Sequence, residues 1–172
     1  MGSGVLSEAG PLLRESKLQA PDLWRGVVAR GRLAALRLAA AGSRLVLFSA
    51  PAGYGKSTLV AQWCGLDPRS ACWLQLADGD NDPVVLMLRV AAALERTGPV
   101  DGELLDELSG RAPRIDQVAL PLLAADLGVR DPFVLVLDDV DVITAERSRA
   151  ILAFLVDGVA PPRATSPPRP AR

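Results

Sequence analysis

The chain contains no histidine. That excludes Ser-His-Asp and Cys-His nucleophilic catalysis and any zinc site built on imidazole. Cysteine is nearly absent too. Cys64 and Cys72 are the only two, and they fit no metal or redox spacing. They read as core thiols of a reducing cytoplasm rather than a disulfide framework. No apolar run approaches the 18 residues of a membrane span. The opening Met1-Gly2-Ser3-Gly4 lacks the basic segment and apolar core of a secretion signal. What remains is a globular composition, 49% hydrophobic and 23% charged, in 172 residues. That is enough for one domain with a sizeable core. The net charge of −1 is unevenly spread: residues 1–60 carry 8 basic and 3 acidic side chains, and residues 61–110 carry 3 and 9. A basic first third suits a polyanionic ligand but is too dilute to argue for nucleic-acid binding.

The most informative stretch is Ala50-Pro51-Ala52-Gly53-Tyr54-Gly55-Lys56-Ser57-Thr58, directly after the apolar run Leu45-Val46-Leu47-Phe48. It is a phosphate-binding loop of the G-x-x-x-x-G-K-S/T type, in the looser form that accepts Ala50 at the first position. Gly53 and Gly55 let the backbone turn N–H groups inward around phosphate oxygens. Lys56 can reach the β- and γ-phosphates, and Ser57 offers a hydroxyl to Mg²⁺. A second motif, Phe133-Val134-Leu135-Val136-Leu137-Asp138-Asp139, is an apolar strand ending in two carboxylates. A run this apolar predicts a strand covered on both faces of a parallel sheet, and its carboxyl end is where such sheets bind ligands. Asp138 is the candidate Mg²⁺ holder. Asp139 is the candidate to orient or deprotonate an attacking water, with Lys56 beside it in the chemistry.

The rest of the pattern predicts alternating helices and strands. A helix over residues 30–41 precedes a strand at Arg44–Ser49. A helix follows from Lys56 to about Gly65, then a strand at Ala71–Leu76. Asp78, Asp80 and Asp82 share the spacing of an EF-hand start, but position 12 would be Arg89 and the glycine is misplaced, so they read as a solvated helix cap. Asp82 caps a helix with Pro83 at its first position, running through Val84, Leu88, Ala91 and Leu94. Residues 97–114 read as a mobile polar connection with a short helix at Glu103–Leu108. Residues 115–128 are helical, with Pro121 kinking the helix or starting a new one. Thr144 caps a last helix with Ile151, Leu152, Phe154 and Leu155 on its apolar face. The final stretch, 161–172, has five prolines in twelve residues and is expected to be disordered. The expected organisation is a lead segment at 1–22, a P-loop domain at 23–158 and a Pro/Arg-rich tail at 159–172.

Six ordered stretches together resemble one family, the large LuxR-type ATP-binding transcriptional regulators, the MalT-like group of the STAND P-loop ATPases with their AAA-like core. They are Leu12–Pro21, Val28-Ala29-Arg30-Gly31-Arg32-Leu33, Ser49–Trp63, Trp73-Leu74-Gln75-Leu76, Asp80-Asn81-Asp82-Pro83 and Val134–Asp139. The resemblance implies a three-layer α/β/α P-loop NTPase with a parallel sheet, ATP or ADP and Mg²⁺ as cofactors, and slow hydrolysis that resets a regulatory switch. It implies that Val28 and Arg30 lie near the adenine and that the loop from Ala50 to Thr58 cradles the phosphates. It implies nucleotide-dependent self-association in a cytoplasmic, membrane-free setting, with DNA reached only through a helix-turn-helix that this sequence does not contain.

Two departures stand out. Val140-Asp141 replaces the family's Tyr-His after the paired acids, adding a third carboxylate. In the family, a further strand inserts between the P-loop strand and the second-motif strand; here the sequence turns to Pro and Arg where that strand should begin. The expectation is therefore a sheet that stops after the second-motif strand and its helix, in a truncated or frame-shifted regulator. A stand-alone P-loop ATPase or small-molecule kinase and a non-functional fragment are the alternatives.

Overall fold

The structure, a computed structural model, describes residues 17–21, 43, 45–49 and 53–158. The expected helix over 30–41, the adenine candidates Val28 and Arg30, loop residues Ala50, Pro51 and Ala52, and the 159–172 tail lie outside the described residues.

Helix α1 (Lys56–Leu66) leads through a three-residue link into strand β1 (Ser70–Gln75). A 3₁₀ turn at Asp78–Asn81 precedes α2 (Pro83–Leu94), and α3 (Gly102–Ser109) follows. A π-helical turn at Ile115–Ala119 runs into α4 (Leu120–Val129), then strand β2 (Phe133–Asp138), a 3₁₀ turn at Val140–Val142 and α5 (Glu146–Gly158). Strands β1 and β2 pair in parallel, with Trp73 opposite Val136 and Gln75 opposite Asp138.

The period-two alternation of strand side chains divides the core cleanly. Cys72 and Leu74 of β1, with Leu135 and Leu137 of β2, face the main core, built from Leu86, Val90 and Leu94 of α2, Leu104 and Leu108 of α3, Leu123 of α4 and Ile151 and Leu155 of α5. Trp73, Val134 and Val136 face the other way, onto Val60, Ala61 and Cys64 of α1. Helices therefore cover both faces of a parallel sheet, an α/β arrangement. The expected lead segment contributes as well: Leu18 is buried in the main core.

Local chemistry explains most element boundaries. Asp82 caps α2, its Oδ1 accepting from Val84 N at 2.8 Å and Val85 N at 3.3 Å, with Pro83 at the start. Such a cap contributes about 1 kcal/mol. Asp101 caps α3 through Glu103 N at 2.9 Å. Pro121 sits in the first turn of α4, where its missing N–H costs nothing. The π turn before it runs into α4 without a break, Ala119 and Leu120 both being right-handed helical, so Pro121 sits where the π turn gives way to the α-helix.

Four expectations are corrected. The short helix expected at Glu103–Leu108 forms as α3, but the stretch around it is not merely a polar connection: Leu104, Leu105 and Leu108 are fully buried, because the helix presents an i, i+1, i+4 stripe to the core. The strand expected at Arg44–Ser49 does not form over the described residues 45–49. Leu47 is 83% exposed and Leu45 58%, and among the described residues no neighbouring strand is there to complete a ladder. The same cause leaves β2 less covered than its apolar sequence predicts. Only Val136 is buried in it, since β2 is paired along one edge, to β1. Finally, Thr144 does not cap α5. Its hydroxyl donates to Asn81 Oδ1 at 3.3 Å, and the helix starts two residues later.

The two thiols are structural. Burial pushes Cys72 up to about 12 and Cys64 to about 11, the latter helped by the Asp67 carboxylate. Both stay protonated and unreactive near neutral pH.

Candidate nucleotide-binding site

Two left-handed glycines build the turn into α1: Gly53 at φ 81° and Gly55 at φ 74°. Any other residue would be strained there. A Cβ placed on Gly53 would meet nothing within 4 Å, so its backbone borders open space. Gly55 occupies the N-cap position and supplies no side-chain acceptor to the first turn. A helix start without a side-chain cap leaves its first turn of N–H groups suited to phosphate oxygens. Lys56, Ser57 and Thr58 begin the helix, half-buried, while Tyr54 is 69% exposed.

Topology sets where this terminus lies. The link Asp67–Arg69 is short, and Arg69 closes it by a guanidinium fork onto Asp67 at 2.8 and 2.9 Å. The C-terminus of α1 must then sit at the start of β1, so α1 runs antiparallel to the strands. Its Lys56 end lies at the carboxyl edge of the sheet. Gln75 and Asp138 stand side by side at that same edge. By this connectivity the Lys56 end of α1 and the acidic end of β2 fall on the carboxyl side of the sheet, the side on which α/β sheets generally bind ligands.

The paired acids differ. Asp138 ends β2, half-buried, and one of its carboxylate oxygens accepts the N–H of Asp139 at 3.1 Å. Asp139 is exposed and is the one non-glycine with positive φ among the described residues, at φ 57° and ψ 40°. That conformation costs about 1 kcal/mol or more for a residue with a Cβ. Gln75 Nε2 donates to Asp139 Oδ2 at 2.9 Å. The third carboxylate, Asp141, does not join the pair: among the described residues no three acidic or thiol side chains converge as a metal cluster. An open depression of about 340 Å³ lies beyond, lined by Val140, Asp141, Ile143, Arg149 and Leu152, with no P-loop residue on its wall.

Behind the edge is a polar brace that the sequence reading did not find. Asp80, expected to be solvated, is completely buried, and so nearly is Arg89. Arg89 Nη1 donates to Asp80 Oδ2, and Nη2 donates to the carbonyl of Gln75 at 2.6 Å. Asp80 Oδ2 also accepts the N–H of Ala77 at 2.7 Å. A lone arginine inside the apolar helix Val84-Val85-Leu86-Met87-Leu88-Arg89-Val90 was the available signal. Asn81 does comparable work on the other side. Its Oδ1 accepts Thr144 N at 2.7 Å and Ala145 N at 2.8 Å, and its Nδ2 donates to Val142 O at 3.1 Å. Ser148 Oγ adds a bond to the Asn81 carbonyl at 3.0 Å. The turn after Asp139 is therefore pinned to the turn after β1.

Comparison with known proteins gives this geometry a context. The chain is similar to a regulator. Over 150 residues it is 30% identical to the HTH-type transcriptional regulator MalT of Yersinia enterocolitica, covering 84% of this chain and 16% of that protein. The MalT of Serratia proteamaculans is 32% identical over 153 residues, with the same coverage. The serine/threonine-protein kinase PknK of Mycobacterium tuberculosis is 31% identical over 136 residues, 76% of this chain and 12% of that protein. The chain thus spans about a sixth or less of the length of these curated relatives. No protein-family model matches it. These similarities support a relationship to the MalT-like family. Among the described residues no helix is long and apolar enough to cross a membrane.

Proposed function

We propose that this chain is the ATP-binding switch module of a MalT-like regulator of the LuxR type, with a P-loop NTPase core. One observation carries the reading: the left-handed Gly53-Tyr54-Gly55 turn opens α1 at Lys56 with no side-chain cap, on the side of the sheet where β2 ends at Asp138 and Asp139 follows. The loop N–H groups and the Lys56 ammonium would hold the phosphates of ATP or ADP. Ser57 and Asp138 would hold Mg²⁺, which would supply charge neutralisation on the β- and γ-oxygens. The residues fit this role, with hard oxygen donors and no competing thiol or imidazole cluster.

In the hydrolytic step, water adds to the γ-phosphorus as the bond to the β,γ-bridging oxygen breaks. The water's proton passes to the Asp139 carboxylate, and ADP and inorganic phosphate leave. As a switch, the module would turn over slowly, and its output would be a shift between conformations that bind ATP and ADP differently. Self-association of the ATP-bound form is part of the same proposal.

The likeness to PknK favours a second reading, phosphoryl transfer to an acceptor other than water. Equilibrium titration of the purified chain with ATP and Mg²⁺, with Lys56→Ala alongside, tests nucleotide binding. Phosphate release with and without added acceptors separates the ATPase from the kinase: a faster loss of ATP without matching phosphate release would favour transfer.

A further inference from the structure

We propose that Gln75 is a positioning residue for Asp139: its side-chain amide holds the carboxylate that the hydrolytic step uses, while the buried Arg89–Asp80 pair holds Gln75. The proposal rests on the nucleotide reading above and goes beyond it. Gln75 is the last residue of β1, in register with Asp138. Its Nε2 donates to Asp139 Oδ2 at 2.9 Å across 64 residues of sequence. Asp139 itself is exposed, so little packing fixes its side chain. An amide that ties down Oδ2 leaves Oδ1 to accept from a water.

The position of Gln75 is itself determined. Arg89 Nη2 donates to the Gln75 carbonyl at 2.6 Å, and Arg89 is anchored by Asp80, which has no solvent exposure. On the far side, Val142 N donates to the Asp139 carbonyl at 3.2 Å, and Asn81 fixes the Val142 carbonyl at 3.1 Å. The 3₁₀ segment Asp78–Asn81 thus braces both ends of one hydrogen bond. Local disturbance of that segment would reach the acid through Gln75 without touching the P-loop.

The test is a separation of binding from turnover. Wild type, Gln75→Leu and Gln75→Glu are compared for ATP affinity and for single-turnover phosphate release, with Lys56→Ala as the binding control. Leu removes the donor; Glu keeps the length and shape and also removes it. The expected result is affinity within about threefold of wild type and release slowed about tenfold or more, the scale of one hydrogen bond to a charged group. A folded variant that releases phosphate at the wild-type rate or faster overturns the proposal. So does unfolding of both variants, which would make Gln75 a structural residue. Wild type that binds ATP, loses it with Lys56→Ala, yet releases no phosphate overturns the role of Gln75 and leaves the binding reading standing. Wild type that binds no ATP overturns both.

Discussion

Replacing Arg89 by leucine should be among the most damaging single changes in this chain. Arg89 is 4% exposed and Asp80 0%. Deleting the guanidinium leaves a fully buried carboxylate with one remaining donor among the described residues, the Ala77 N–H at 2.7 Å, and takes the Arg89 donor from the Gln75 carbonyl. Breaking one side of a buried ion pair costs about 3–5 kcal/mol. Asp80→Leu should cost a similar amount, because it leaves the guanidinium buried against a single carbonyl. The double variant removes both charges together and strands two neutral groups, Ala77 N–H and Gln75 C=O, at about 1–3 kcal/mol each. The two single losses should therefore exceed the double loss by about 2 kcal/mol or more. Urea unfolding followed by the fluorescence of Trp63 and Trp73, both buried, measures all four corners of the cycle. Because the pair is out of solvent, the losses should persist at high salt, where an exposed pair would be screened. Single losses under 1 kcal/mol, or a cycle additive to within about 0.5 kcal/mol, would refute the view that this pair braces the sheet edge.

Asn81→Ala should cost about 2–4 kcal/mol, from the loss of its bonds to Thr144 N, Ala145 N and Val142 O. Amide exchange should accelerate first at Thr144 and Ala145, and exchange unchanged there would contradict the bracing role. For the thiols, native Cys72 lies at about 12 while an unfolded cysteine lies near 8.5–9. Below about pH 7.5 both states are protonated. As pH rises above that the unfolded chain releases its thiol protons first, so stability should fall toward pH 11, and Cys72→Ala should flatten that slope. At pH 8 a thiol reagent should modify native Cys72 about a hundredfold or more slower than the denatured chain.

Much of this architecture was readable in the sequence because its signals are local. Asp82-Pro83 announces a helix start within two residues, the apolar run Phe133–Leu137 announces a strand, and Gly53 and Gly55 mark where the backbone must turn left-handed. The failures were non-local. Leu45–Phe48 has strand composition, but a strand exists only when a neighbour supplies hydrogen bonds, and no local pattern reports that. The helix at Gly102–Ser109 looked polar because its three leucines are outnumbered, although they all fall on the buried side. Asp80 looked like one more solvated acid beside Asp78 and Asp82, and only the fold brings Arg89 against it. The bonds from Gln75 to Asp139 and from Asn81 to Ala145 each join residues 64 apart. They depend on the pairing of β1 with β2, which no short motif encodes.

The most direct test of the central claim is ATP binding by the purified chain, measured beside Lys56→Ala. The account predicts saturable, Mg²⁺-dependent binding by wild type and an affinity loss of about 10- to 100-fold in the variant, the scale of one charge-assisted contact to phosphate. Equal affinity in the two proteins, or no binding by either, would contradict it.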